Sequence, residues 1–327
     1  YMQIVLGYFI GYIIVANVLL PLYYRMNLTS IYVYLKERFG KKSYKSGAVL
    51  FLISRILGAS FRLYLVAIVF ELIFKQLDVQ IPFFVTVVIT VSLIWLYTFR
   101  SGIKTIIWTD TLQTTFMLIA VGYTIIQIQE YMGLSGQELV DTIRTSAYGK
   151  WFFYDDAYSS KYFIKQIVSG MFITIVMTGL DQDMMQKNLT CKDLPSARKN
   201  MLVFGTVLVG VNLVFLSMGA LLILYGQQLG IDLPEKSDYI YPMLALEGHL
   251  GPAVGILFIL GLIASAYSSA DSALTSLTTS YCIDIVDIES KPKNEQVKLR
   301  KKVHVGMSFI LVLVIFLLKY INDESVI

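Results

Sequence analysis

The sequence predicts an all-α polytopic membrane protein with eight transmembrane spans. Apolar residues make up 56% of the 327 residues, charged residues make up 15%, and the mean hydropathy is +0.65. A soluble domain typically has about 25% charged residues, so this composition excludes an ordinary soluble protein. The apolar residues also fall into long segments. Each segment reaches or approaches the roughly 20 residues that a helix needs to cross a bilayer.

The predicted spans follow one another along the whole chain, at 2–22, 46–74, 81–99, 105–128, 163–186, 200–225, 251–285 and 303–321. The loops between them then alternate sides, and their basic residues are unevenly distributed. One set of loops holds 18 Lys and Arg residues, at 23–45, 100–104, 187–199 and 286–302. The other set holds five, at 75–80, 129–162 and 226–250. The positive-inside rule therefore places the first set in the cytoplasm.

Two cytoplasmic stretches have a predicted character of their own. Residues 29–40 alternate apolar and charged residues at helical spacing, with Thr29 or Ser30 as a possible N-cap, which predicts a short interfacial helix. Residues 291–302 form a basic loop. Attraction to anionic lipid headgroups explains that loop, so we expect the lipid bilayer, and not nucleic acid, as the partner of these charges.

The polar stretch Ser265–Ser272 lies within an otherwise apolar span, where hydroxyl and carboxylate groups are costly and therefore indicate a functional site. Helical spacing places its serines and the next one on a single face: Ser265, Ser268, Ser269, Ser272 and Ser276. Neutral oxygens and one carboxylate suit a small hard cation. Alternatively, small hydroxyl residues simply allow close helix packing. Asp271 favours the functional interpretation, because close packing does not require a charge.

Two further polar features occur within the fourth and fifth predicted spans. Asp110 follows Trp108 and Thr109 near the cytoplasmic start of the fourth span, where the helix dipole alone also favours a carboxylate. In the fifth span, Gly179 stands beside Thr178 and the polar run 181–183, a pattern typical of a broken helix that lines a cavity. The alternative is that this helix ends near Leu180 and its carboxylates meet water.

Arg55 and Arg62 are seven residues apart in the second span and therefore share one helix face. Arg55 is shallow enough to reach the cytoplasmic interface with its side chain. Arg62 lies near the middle of the span, so it requires an anionic partner. That partner is either a protein carboxylate such as Asp181 or the carboxylate of a bound molecule.

Four motifs, in this order and spacing, resemble the sodium:solute symporter family, and the resemblance covers essentially the whole chain. They are Tyr34–Gly40, Ile107–Gln113, Asp181–Leu189, and Ser268–Ser272 with Asp284 downstream. The resemblance implies the inverted-repeat fold of the leucine-transporter type. It also implies that residues 1–327 are a single, incomplete transmembrane transporter domain. The eight spans would be core helices two to nine, with core helices one and ten outside the chain.

The resemblance further implies roles for individual residues. The family's main sodium site maps onto Ser265, Ser268 and Ser269. A second cation site maps onto Asp110 and Asp271. Residues that bind substrate or form a gate would be Arg62, Gly179, Asp181 and Gln182. The residues before Gly179 are Val176, Met177 and Thr178, whereas sugar-carrying relatives have aromatic residues there, so an aromatic platform is not expected.

The function implied by the resemblance is sodium-coupled import of a small organic solute by alternating access, in a cell membrane, with a bacterial inner membrane as the expected location. The position of Arg62 favours an anionic solute. The coupling ion would be sodium, with no other cofactor or metal. An alternative is a membrane sensory module of the same domain type, coupled to a signalling kinase. An enzyme is not expected, because neither the histidines nor the cysteines have partners in a span that would form a catalytic or metal site.

Overall fold

The computed structural model describes residues 2–28, 30–76, 81–98, 103–235 and 237–324, although it does not describe every side chain within them. Regular structure in these ranges is helical. The longer helices are α1 (Met2–Arg25), α2 (Val33–Gln76), α3 (Phe83–Thr98), α4 (Ile103–Met132), α5 (Gly136–Thr145), α6 (Phe163–Gly179), α7 (Gln182–Leu189), α8 (Leu194–Gln228), α9 (Ile240–Leu246), α10 (Pro252–Ile285) and α11 (Lys293–Glu324). The last turns of α6 and α10, and the middle of α1, are π-helical.

Six of these helices are long and apolar enough to cross a bilayer: α1, α2, α4, α8, α10 and α11. Helices α6 and α7 form a seventh span if the bent pair counts as one. The predicted span 81–99 forms α3, whose described apolar stretch, Phe83–Ser92, falls short of a full span. The all-helical polytopic class is therefore confirmed, with six or seven spans on the described residues against the eight predicted.

The chain divides into two compact units, each with its own packing. The first unit contains Tyr1–Asn27 and Phe116–Ile259. Within it, α1 and α6 approach so closely that only glycine fits. A Cβ atom on Gly7 would lie 2.1 Å from the carbonyl oxygen of Ile167, and one on Gly170 would lie 2.2 Å from that of Ile4. Small residues allow this kind of backbone contact between helices in a membrane.

The segment between α4 and α6 also belongs to the first unit. Its helix α5 begins with a capping box, in which Ser135 accepts a hydrogen bond from the backbone of Glu138 and the Glu138 side chain accepts one from the Ser135 backbone. These hydrogen bonds, the backbone bond first, hold the pKa of Glu138 below its usual range. The buried Gln3 of α1 fixes the rest of the segment, donating to the carbonyl of Lys161 and accepting from the amide of Phe153.

The second unit contains Leu28–Thr115 and Leu260–Ile327. Its helix α2 is interrupted at Gly40, where φ is +86°, a conformation that favours glycine. The predicted short helix is thus present from Val33 to this kink, and Ser30 accepts a hydrogen bond from the amide of Tyr32 at 3.3 Å. Thr29 lies outside the described residues. Beyond the kink, helices α2, α3, α10 and α11 share an apolar cluster that includes Leu63, Tyr64, Val87, Ala270 and Ile315.

Candidate functional site

Most of the described polar residues of α10 are buried. Ser268, Asp271, Ser272 and Ser276 are each 5% exposed or less. Ser265 is half-buried, and the side chain of Ser269 lies outside the described part of the chain. Ser276 donates to the carbonyl of Ala273 on its own helix at 3.0 Å, so its hydroxyl is used locally. The hydroxyl of Ser268, in contrast, forms a hydrogen bond to a residue of another helix.

Ser268 donates a short hydrogen bond to Oδ1 of Asp110, a half-buried residue of α4. Both residues belong to the second unit. The contact joins a serine predicted for the main sodium site to the carboxylate predicted for a second cation. A hydroxyl that donates one hydrogen bond keeps its oxygen lone pairs, and a carboxylate offers several acceptor sites. Two such oxygens side by side are suitable ligands for a small hard cation.

Asp271 adds a fully buried carboxylate to the same helix. It lies three residues after Ser268, a spacing that places both side chains on neighbouring positions of one helix face. In the described part of the chain, no group of three or more His, Cys, Asp or Glu residues is arranged to hold a metal. The oxygen-rich face of α10 beside Asp110 is therefore the candidate cation site, with hydroxyl and carboxylate ligands in place of a transition-metal cluster.

The fifth span is broken at the predicted position. Helices α6 and α7 meet at 66°, with Leu180 and Asp181 between them. Asp181 caps α7, because its Oδ1 accepts hydrogen bonds from the amides of Asp183 and Met184 at 2.9 and 3.1 Å. Gln182, the first residue of α7, is buried. The helix therefore does not simply end at Leu180, as the alternative interpretation had it, but restarts in a new direction.

Gly179 has a packing role that the sequence did not indicate. It is buried at the end of the π-helical turn of α6, against the π-helical turn of α1. A Cβ atom at this position would lie 2.5 Å from Cδ1 of Leu19 and 3.1 Å from Cγ2 of Val15. The absence of a side chain lets α1 approach the break closely. Its assignment to the substrate site or gate stays a prediction.

Two tyrosines at the end of α1, which sequence reasoning missed, contact α6, α7 and the residues just after α7. Tyr23 donates to the carbonyl of Gly179 at 2.9 Å. The hydroxyl of Tyr24 lies 3.0 Å from the carbonyl of Asn188 and 3.1 Å from that of Cys191. A pair of tyrosines at the end of an apolar span is typical of a membrane interface, and their acceptors are more than 150 residues away. The sequence therefore carries no signal for these contacts.

Arg62 is exposed on α2, whereas the next two residues, Leu63 and Tyr64, are buried in the apolar cluster of the second unit. The predicted anionic partner of Arg62, whether Asp181 or a bound molecule, stays a prediction. Arg55, seven residues earlier on the same helix face, is half-buried.

Asp284, the last residue of the motif on α10, holds the end of this helix against α2. Its buried carboxylate accepts hydrogen bonds from the hydroxyls of Tyr44 and Ser280 at 2.9 and 2.6 Å. Lys45 caps the same helix end by donating to the carbonyls of Asp284 and Ile285 at 2.5 and 3.0 Å. A cation such as Lys45 is favourable at a helix C-terminus. The presence of Asp284 in the family motif therefore has a structural explanation.

A family model with the description "Sodium:solute symporter family" matches residues 1–325. The chain belongs to the sodium:solute symporter family. Membership places this chain in a family of transporters, not of enzymes, and accounts for the order of the four motifs.

Three curated relatives give the scale of the similarity. The sodium/sialic acid symporter NanT of Aliivibrio fischeri is 25% identical over 287 residues, covering 86% of this chain and 55% of the relative. The sodium-coupled monocarboxylate transporter 1 of Mus musculus is 25% identical, covering 89% and 48%. The human sodium/iodide cotransporter is 26% identical, covering 93% and 47%. The chain thus spans about half the length of the curated relatives it matches.

A solved structure has the same fold. The substrate-bound outward-open state of a Na+-coupled sialic acid symporter superposes with a TM-score of 0.82 at 21% identity, covering 98% of this chain and 68% of that one. The predicted fold class, an all-α polytopic membrane protein of the leucine-transporter type, is thereby confirmed. At this level of identity the match concerns the fold alone.

Proposed function

We propose that the protein is a sodium-coupled symporter that imports a small anionic organic solute by alternating access across a cell membrane, with a bacterial inner membrane as the expected location. The observation that carries this proposal is the hydrogen bond from Ser268 to Asp110, beside the buried Asp271. Family membership supports sodium as the coupling ion. No other cofactor is proposed.

In the proposed mechanism, sodium binds among the oxygens of the α10 face. Ser265, Ser268 and Ser269 supply hydroxyl ligands, and Asp110 and Asp271 supply the negative charge of a second cation site. A buried carboxylate is costly in a membrane unless a cation or hydrogen-bond donors neutralise it. Sodium bound between Ser268 of α10 and Asp110 of α4 supplies a neutralising charge. The ion therefore favours the conformation in which these two helices lie together. A solved relative of the same fold is described as revealing a novel Na+ site, which is consistent with more than one cation position.

The solute is proposed to be an anion. Sialic acid, monocarboxylates and iodide, named for three relatives, are all anions at neutral pH. Within this chain, the exposed guanidinium of Arg62 has the fork geometry that binds a carboxylate in a bidentate manner. The N-terminus of α7 is a weaker candidate for an anion, because the carboxylate of Asp181 already accepts its first amides. The proposed substrate contact is therefore Arg62, and Gly179, Asp181 and Gln182 are each proposed as substrate or gate residues.

Uptake into liposomes tests this proposal. The full-length protein is reconstituted and given an inward gradient of either sodium or potassium, with labelled sialic acid, a short monocarboxylate, iodide and glucose as separate solutes. We expect sialic acid or the monocarboxylate to accumulate above its external concentration with sodium and not with potassium, and glucose not to accumulate. Equal accumulation in the two gradients would exclude sodium coupling. Accumulation of glucose alone would exclude the anionic substrate class.

A further inference from the structure

Helix α7 is short, and α1 contacts the chain both at the break before α7 and at its C-terminal end. The eight residues of α7 are too few for a helix that is stable in isolation, so its position depends on what it packs against. Its N-terminal end follows the break at Gly179, and its C-terminal end is followed directly by Thr190 and Cys191. Consecutive tyrosines of α1 reach these two points.

The contact at the break is made by Tyr23. Its side chain is buried, and its hydroxyl donates to the carbonyl of Gly179 at 2.9 Å. Helix ends leave carbonyl groups without a partner in the same helix, and a buried carbonyl requires a donor. The same point is fixed sterically, because Val15 and Leu19 occupy the space that a Cβ atom of Gly179 would need.

The contact at the far end is made by Tyr24. Its hydroxyl is shared between the carbonyls of Asn188 and Cys191, at 3.0 and 3.1 Å. Both carbonyls lie at or just beyond the last turn of α7, and that of Asn188 also accepts a hydrogen bond from the amide of Cys191 at 3.2 Å. Two consecutive tyrosines of α1 thus contact the end of α6, just before the break, and the end of α7.

We infer that Tyr23 and Tyr24 are positioning residues: Tyr23 fixes the end of α6 to α1 and Tyr24 fixes the end of α7 to α1, so that α1 and α7 move as one body and α1 sets the angle of the break. This inference rests on the proposed function in one respect: that the break between α6 and α7 borders the solute site. The tyrosines contact neither the solute nor sodium. They act through Asp181 and Gln182, whose position depends on where α7 is held.

A spin-label pair on Ile10 of α1 and Met184 of α7 tests the inference directly, since both side chains are exposed. Native cysteines are replaced by serine, which leaves the backbone carbonyl of Cys191 in place. The distance distribution is measured in the full-length protein in lipid nanodiscs, with sodium and then with potassium. We expect a narrow distribution that is the same in both ions, and at least a twofold broadening in the double variant Tyr23→Phe/Tyr24→Phe.

The matched control is Tyr225→Phe, which removes another buried tyrosine hydroxyl of the same unit, one that donates to the carbonyl of His249 at 2.6 Å. We expect this variant to keep the narrow distribution even where its melting temperature falls. If the double variant does not fold, the single variants Tyr23→Phe and Tyr24→Phe give the same comparison, each with a broader distribution than Tyr225→Phe.

Two results would overturn the inference. One is a distance distribution in the double variant, or in both single variants, that is as narrow as the distribution in Tyr225→Phe. The other is an unsubstituted protein whose distance changes between sodium and potassium, because α1 and α7 would then move separately. Neither measurement needs a transported solute. A failure of sodium-driven uptake would therefore count against the proposed function without altering the result for the two tyrosines.

Discussion

Ser268 of α10 donates a hydrogen bond to the carboxylate of Asp110 on α4. The family resemblance predicts Ser268 in one cation site and Asp110 in another, and this hydrogen bond places the two predicted ligands in direct contact. A cation that binds either residue changes the hydrogen-bond and charge environment of the other. Substitutions here should therefore affect sodium binding jointly.

The first prediction is that Ser268→Ala weakens sodium activation of transport. Loss of one hydroxyl ligand should weaken binding by about 1–2 kcal/mol, the scale of a hydrogen bond to a charged group, which is about a tenfold rise in the half-saturating sodium concentration. We expect Ser269→Ala to weaken sodium activation in the same way. Sodium-dependent uptake, or sodium-dependent thermal stabilisation, measures the change.

The control for this prediction lies on the same helix. Ser276 is also buried, but its hydroxyl donates to the carbonyl of Ala273, so Ser276→Ala should leave the sodium dependence unchanged. If Ser268→Ala and Ser276→Ala give the same sodium dependence, the serine face of α10 is a packing surface and the assignment of the site is wrong.

The second prediction concerns Asp110 and Asp271. If both serve a shared cation, the effects of Asp110→Asn and Asp271→Asn on the free energy of sodium binding should be non-additive, with a coupling of about 0.5–3 kcal/mol. Asparagine keeps the size of the side chain and removes the charge. The measurement is a double-mutant cycle on sodium-dependent thermal stabilisation. Additive effects would identify two separate structural carboxylates.

Periodicity and polarity predicted the parts of the site that depend on a single segment. The polar run of α10 predicted as a functional face includes the buried Ser268, Asp271 and Ser272, and the helix does break beside Gly179. Such features are local, because the cost of a polar group or a glycine in an apolar span can be read from neighbouring residues. The short helix before Gly40 was predictable because the helical spacing of its apolar and charged residues is also a local pattern.

The pairings between distant segments could not be predicted in this way. The contact of Ser268 with Asp110 joins residues 158 apart, and Tyr23 reaches a carbonyl 156 residues away. Every backbone carbonyl looks the same in a sequence, so no pattern identifies which one a tyrosine will reach. The clash that explains Gly179 also depends on Leu19, which only the folded packing brings near.

The third prediction is that Gly179→Ala destabilises the protein. The added methyl group would lie 2.5 Å from Cδ1 of Leu19, so α1 or the break must shift, at a cost of about 1–3 kcal/mol. Gly219→Ala is the matched control, because a Cβ atom on Gly219 of α8 would have no heavy atom within 4 Å. Thermal unfolding in detergent should show a lower melting temperature for Gly179→Ala alone. Equal melting temperatures for the two variants would contradict the packing role.

The last prediction distinguishes the two partners that Arg62 can have. If the partner is the carboxylate of the solute, Arg62→Lys should fold normally and bind the solute poorly, since lysine cannot form the bidentate fork. Melting temperature and solute affinity, measured on the same preparation, separate the two properties. A normal melting temperature with at least a tenfold loss of affinity is the expected result.

If the partner is Asp181 instead, Arg62→Ala should lower the melting temperature, because the carboxylate of Asp181 loses its cationic partner. The additional substitution Asp181→Asn should then restore stability. Asparagine is the right neutralisation here, because Asp181 caps α7 through the amides of Asp183 and Met184, and asparagine caps a helix about as well as aspartate. Loss of the cap therefore does not mask a rescue. Rescue of Arg62→Ala by Asp181→Asn would establish a structural ion pair and remove Arg62 from the solute site.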